Sequence, residues 1–139
     1  MQLKQIGTVQ SSYKDRKDAP RQGKFSDETS ILVLEETYLP ALTTIEELSH
    51  IIVLYWGNKA NREILESPTP WSPDVIRGVF TTRSPNRPNP IAFCVCKIIN
   101  IDGNKIEVSG LDALDGSPLL DIKAYAPDVD CYPEANRKE

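Results

Sequence analysis

The sequence predicts a mainly β protein: a small antiparallel sheet or barrel-like domain with one or two short helices. Three observations carry that expectation. The apolar segments are short, rich in branched residues and bounded by turn residues. Asp102-Gly103-Asn104 and Asp115-Gly116 punctuate the C-terminal half with hairpin and turn signals. Long amphipathic helices do not alternate with the strands, and the seven glycines include no Gly-x-Gly, which argues against a Rossmann dinucleotide fold and a phosphate-binding loop.

Seven strands follow in order. Leu3 to Val9 and Ser30 to Glu35 come first, separated by a polar loop from Ser12 to Asp27. A short helix is expected from Thr44 to Ser49, with Thr43 or Thr44 as N-cap and Glu46 and Glu47 favouring the positive end of its dipole. It leads into a buried strand, Ile51 to Trp56. Six of the eleven prolines fall between Pro68 and Pro90, so most of that stretch is neither helix nor central strand, apart from a brief strand at Gly78 to Thr82. Ile91 to Ile101 and Lys105 to Ser109 flank the Asp102-Gly103-Asn104 turn as a hairpin, and Pro118 to Ala124 forms the last strand.

At 139 residues the chain suits one domain spanning residues 1–139, long enough to bury roughly two thirds of its unfolded surface. With 40% apolar and 26% charged residues its composition is that of a globular protein. The apolar run Ile51 to Trp56 is too short to span a bilayer, and the N-terminus lacks a signal-peptide pattern, so a cytosolic protein without a membrane partner is expected. Three cysteines imply no disulfide framework, and Cys94, Cys96, Cys131 and His50 match no zinc-ligand spacing, so no metal is expected. His50, before a buried strand, suits a structural role better than that of a base.

The net charge of −4 hides a segregation. Residues 1–24 carry six basic and two acidic side chains, and 75–101 carry four basic and none acidic. Residues 27–74 and 102–139 each carry nine acidic side chains. Two basic segments that converge would suit a phosphate-bearing partner, whereas the acidic balance argues against indiscriminate nucleic-acid binding.

Three constellations bear chemistry. In Arg83-Ser84-Pro85-Asn86-Arg87-Pro88-Asn89-Pro90, prolines stiffen a loop whose guanidiniums suit carboxylate or phosphate oxygens and whose Asn89 offers donor and acceptor together. The same residues also satisfy loop carbonyls in many proline turns. The stretch Gly110 to Tyr125 places Asp112 and Asp115 around a turn, then alternates Asp121, Lys123 and Tyr125 onto one strand face. These carboxylates suit ribose hydroxyls or a proton, or simply a solvated face with a surface ion pair. Ala19-Pro20-Arg21-Gln22-Gly23 is a third, weaker signal. One histidine with no paired nucleophile signature argues against a hydrolase triad.

The ordered series of motifs resembles the TsaA-like, or TrmO, tRNA methyltransferases across almost the whole chain. The resemblance rests on Ile6-Gly7-Thr8-Val9 with Ser12-Tyr13, then Pro20-Arg21-Gln22 and Ser49-His50. It continues through Gly78-Val79-Phe80-Thr81-Thr82-Arg83-Ser84 with Arg87-Pro88-Asn89-Pro90-Ile91, and Leu111-Asp112 through Asp115-Gly116-Ser117-Pro118 to Asp121-Ile122-Lys123. It implies a β-barrel-like homodimer that binds S-adenosylmethionine and methylates N6 of threonylcarbamoyladenosine beside the tRNA anticodon. Cofactor contacts then fall on Pro20, Arg21 and Gln22, on Asn58 and Lys59, on Arg83 and Phe93, and on Asp112, Ala113, Leu114 and Asp115, as walls of one pocket. Arg87, Asn89, Lys123 and Tyr125 are implied on the tRNA side, with Asp115, Asp121 or Tyr125 as alternative proton acceptors. The chain departs from the pattern at Tyr55-Trp56-Gly57-Asn58, where many relatives place an aromatic residue and a histidine. Two rival readings remain: a non-catalytic module for RNA or an adenosine-like ligand, and a methyltransferase for another nucleoside or a small amine.

Overall fold

The computed structural model describes residues 1–137. Eight strands occur among the described residues: β1 (Gly7–Gln10), β2 (Thr29–Leu34), β3 (His50–Trp56), β4 (Glu66–Thr69), β5 (Ser72–Gly78), β6 (Ile91–Asp102), β7 (Lys105–Ser109) and β8 (Pro118–Ala124). Six of them close an antiparallel barrel in the order β1-β2-β7-β6-β3-β8, and β4 and β5 pair separately as a ribbon. Closure leaves no free strand edge in the barrel. The ribbon accommodates Pro68 and Pro73, which lack the N–H that a central strand needs.

The interior is filled by alternate residues of every barrel strand. Val9, Leu32, Leu34, Ile51, Val53, Tyr55, Cys94, Cys96, Ile106, Val108 and Leu119 form one cluster, closed by Leu111 and Ala113 from the loop before β8. Cys94 and Cys96 are both buried and unpaired, and serve there as small apolar side chains. Two bulges adjust the alternation. On β8, Leu54 faces Asp121 while Tyr55 faces Leu119, so Leu120 is the extra residue and Leu119 and Ile122 both contribute to the core. On β6 the register shifts between Ile98 and Asn100.

Several expected elements differ. The first strand begins at Gly7 rather than Leu3, because β8 pairs with β1 only at Gly7 and Thr8. The helix expected from Thr44 to Ser49 is a single 3-10 turn, Ile45–Glu47, and Thr44 caps it in the left-handed region (φ 69°) with no side-chain cap bond. Gly78 to Thr82 is not a strand: Val79–Thr81 is a 3-10 turn, and the strand lies just before it as β5. The β4–β5 ribbon was hidden by its prolines. Four further short helices, the 3-10 turns Arg16–Asp18, Gly23–Phe25 and Glu36–Leu42 and the α-turn Pro127–Asp130, have no apolar periodicity that would announce them. The hairpin of β6 and β7 forms across Gly103 and Asn104, with only Gly103 using positive φ.

Candidate functional site

The end of the barrel at which β3 finishes carries most of the motif residues. Here the loop after β1 is laced to the loop before β8. The Ser11 amide donates to Asp115 Oδ1 (3.0 Å), Ser11 Oγ to the Ala113 carbonyl (2.8 Å), and the Asp115 amide to the Tyr13 carbonyl (2.7 Å). Lys14 Nζ lies 2.7 Å from Asp115 Oδ2, and Lys59 Nζ reaches the Lys14 carbonyl at 3.4 Å. Asn58 and Lys59 follow directly from β3, where the Gly57 amide bonds the Pro90 carbonyl.

The Pro20-Arg21-Gln22 loop joins this mouth through glycine. Gly23 packs so closely on Gly110 that a Cβ would sit 2.1 Å from the Gly110 oxygen. The residue that follows Pro20-Arg21-Gln22 is thereby tied to the backbone of Gly110 and Leu111. Asp112 is half-buried and accepts from Tyr55 Oη (2.7 Å) and Cys94 Sγ (3.1 Å) on the same oxygen, Oδ1.

Arg83 and Phe93 approach from the other side of β6. Cys94 faces the interior and Phe93, 44% exposed, faces outward. The Arg83 guanidinium bonds the Phe93 carbonyl at 2.9 Å and stacks on its ring, 5.6 Å from the centroid. Arg87 is spent within its own loop, donating to the carbonyls of Thr82, Ser84 and Val79 at 3.1, 2.9 and 2.9 Å. Asn89 Oδ1 accepts from Arg62, which also holds the Pro88 carbonyl and lies over the Trp56 ring.

Asp121, Lys123 and Tyr125 are not gathered at this mouth. β8 has seven residues, so at 3.3 Å per residue its ends are about 20 Å apart; Asp115 precedes one end and Tyr125 follows the other. Asp121 and Lys123 pair at 3.1 Å on the outer face, at the edge of a cleft of about 360 Å³ beneath the 3-10 segments at residues 36–47. Asp115 and Tyr125 also differ electrostatically. Hydrogen bonds from Lys14 and then the Ser11 amide hold the Asp115 carboxyl below its ordinary 3.8. Partial desolvation, then Cys131 and Asp130, push the Tyr125 phenol up. His50 is exposed at the start of β3, where its Nδ1 meets Ser49 Oγ.

Sequence reasoning missed Lys14, Tyr55 and Arg62. Lys14 and Arg62 carried only charge as a signal, and Tyr55 looked like an apolar strand residue. No group of three or more His, Cys, Asp or Glu among the described residues could hold a metal, and no described helix is long and apolar enough to cross a membrane.

Comparison with known proteins adds an independent line. Residues 8–131 match the family described as the tRNA-methyltransferase O N-terminal domain. An S-adenosyl-L-methionine-binding protein of Archaeoglobus fulgidus is 53% identical over 131 residues, covering 94% of each chain. A mouse tRNA (adenine(37)-N6)-methyltransferase is 33% identical over 133 residues, covering 90% of this chain and 31% of the mouse protein. The crystal structure of TrmO from Pseudomonas aeruginosa superposes with a TM-score of 0.81 at 29% identity, over 98% of this chain and 60% of that one. The chain thus spans about three fifths of that solved relative.

Proposed function

Because this chain belongs to the tRNA-methyltransferase O N-terminal domain family, we propose that it is a cytosolic, S-adenosylmethionine-dependent methyltransferase acting on N6 of threonylcarbamoyladenosine beside the tRNA anticodon. The observation that supports this reading is the contact of Gly23 with Gly110 and Leu111, which ties the residue after Pro20-Arg21-Gln22 to the residues just before Asp112. The adenine-37 specificity draws its support from the name of the mouse relative.

The residues present fit the cofactor. Among the described residues Asp112 Oδ2 takes no hydrogen bond, and the half-buried Asp112 stands on the same loop as Asp115, which Lys14 holds. Pro20, Arg21, Gln22, Asn58, Lys59, Arg83, Phe93 and Asp112 to Asp115 would hold it. When bound, the cofactor supplies an electrophilic methyl group on a positively charged sulfur. The protein contributes by positioning and electrostatics: carboxylates favour the positive centre, and Arg83 offers a planar donor for a carboxylate. Asp115, held ionised by Lys14, is a weak proton acceptor, and Tyr125 stays protonated at neutral pH. We therefore assign the rate enhancement mainly to alignment, with no dedicated base at the mouth.

On the tRNA side, the basic segments would meet anticodon-stem phosphates and Asn89 would face the nucleoside, whereas Lys123 and Tyr125 lie too far from the mouth to meet it there. Arg87 would act there through the shape of its loop. We further propose a homodimer. Its support is the outer face of β6, where Ile91, Phe93, Val95 and Ile99 are exposed around Lys97, together with the separate ribbon, which exposes Val75 and Ile76 and carries exposed Trp71 in its turn.

Calorimetric titration of S-adenosylmethionine, with Arg83→Ala as control, followed by methyl transfer to tRNA with and without the threonylcarbamoyl group, tests the reading. Saturable binding weakened by Arg83→Ala and transfer only to modified tRNA are expected. Binding without transfer would favour a non-catalytic module, and transfer to unmodified tRNA or a small amine would reassign the substrate. Light scattering at the monomer mass would remove the dimer.

A further inference from the structure

Asp112 sits on a loop, where a carboxylate is free to turn unless something outside the loop holds it. Two donors do so, and they come from two different barrel strands. Tyr55 on β3 donates at 2.7 Å and Cys94 on β6 at 3.1 Å, both to Oδ1. Tyr55 is itself fixed: its ring is buried in the core, and its backbone pairs with Ala92 on one side and Leu119 on the other. Burial first, and the Asp112 charge next, push both the Tyr55 phenol and the Cys94 thiol well above their ordinary values, so both remain protonated donors at neutral pH. A phenylalanine would fill the same space without the bond. The hydroxyl is therefore an addition to the core that only Asp112 uses among the described residues.

We propose that Tyr55 is a positioning residue of the cofactor site, fixing Oδ1 of Asp112 so that Oδ2 is presented to a hydroxyl or ammonium donor of S-adenosylmethionine. This rests on the reading of the mouth as the cofactor site. The test is a double-mutant cycle on cofactor affinity in the full chain, with Tyr55→Phe, Asp112→Asn and the double variant titrated by calorimetry. Loss of a hydrogen bond to a charged group predicts binding about tenfold weaker in Tyr55→Phe. Because Tyr55 acts only through the carboxylate, the double variant should bind no more weakly than Asp112→Asn alone. In turnover, Tyr55→Phe raises the cofactor KM while kcat changes little. Wild-type affinity in Tyr55→Phe, or additive losses in the double variant, overturns the proposal while leaving the cofactor site in place. Failure of the wild-type chain to bind overturns the site reading and the proposal with it. If Tyr55→Phe shows no cooperative unfolding, Cys94→Ala removes the second donor to the same oxygen. A smaller but measurable loss of affinity is then expected, and none would refute the idea.

Discussion

Replacing Gly23 by alanine would place a Cβ 2.1 Å from the Gly110 oxygen, 2.5 Å from the Gly110 carbonyl carbon and 2.9 Å from that of Leu111. Ordinary contact begins near 3.4 Å, so the two segments must part by roughly 1 Å. Neither side gives easily. Gly110 is held at φ +94° with Val95 close behind it, and Leu111 is buried in the core. Overpacking of this kind costs about 1–3 kcal/mol, which for a domain of this size lowers Tm by several degrees. The more informative readout is ligand affinity. Moving the 20–22 loop by about 1 Å from Asp112 should weaken S-adenosylmethionine by at least an order of magnitude. Thermal unfolding and calorimetry on the same preparation separate the two effects. Lost stability with intact affinity would remove the 20–22 loop from the cofactor site, and an unchanged protein in both assays would refute the packing argument itself.

Three other perturbations follow from the same contacts. Arg87→Ala strands three loop carbonyls and should cost about 1–3 kcal/mol in urea unfolding, with Arg87→Lys failing to restore it because a single ammonium cannot span the fork. The Asp115 carboxyl is lowered when folded, so its contribution to stability is present above the unfolded value and is lost only as pH falls through the folded one. A carboxyl-carbon NMR titration should find its midpoint below 3.8, with no change between pH 5 and 8; a midpoint above 4 would contradict the Lys14 contact. Thr44→Gly relieves a branched residue at φ 69° and should raise unfolding stability by about 1 kcal/mol or less, the gain being offset in part by the entropy of the unfolded glycine.

The strands that are strongly branched and bounded by turn residues were legible in advance. β2, β3, β6, β7 and β8 lie within a residue or two of expectation, because short runs of branched apolar residues between turn signals mark buried strands. The ribbon was not, since Pro68 and Pro73 read as breakers and only their place outside the barrel makes them admissible. The Thr44 turn failed for a related reason. The chain needs one turn there, not a helix, and tertiary packing of Ile45 into the barrel end outweighs the strain at its neighbour.

For the site, the residue types and their order were open to reading: Pro20 to Gln22, Arg83 to Asn89 and Asp112 to Asp121 stood out as motifs, and their resemblance to one family pointed to the cofactor. Their mutual arrangement was not. Whether Arg87 faces a ligand or its own loop depends on three carbonyls brought near by the 3-10 turn at Val79–Thr81. Whether Asp115, Asp121 and Tyr125 share a site depends on which end of β8 each occupies and on what lies beside it there. The amino-acid sequence by itself determined an antiparallel β architecture, its main turns and the chemistry available on its loops, because those follow from local pattern. Only the tertiary structure decided that Tyr55 meets Asp112, that Gly23 meets Gly110 and that Tyr125 stands at the far end, because closing a barrel sets neighbours by strand order and register, which no local pattern contains.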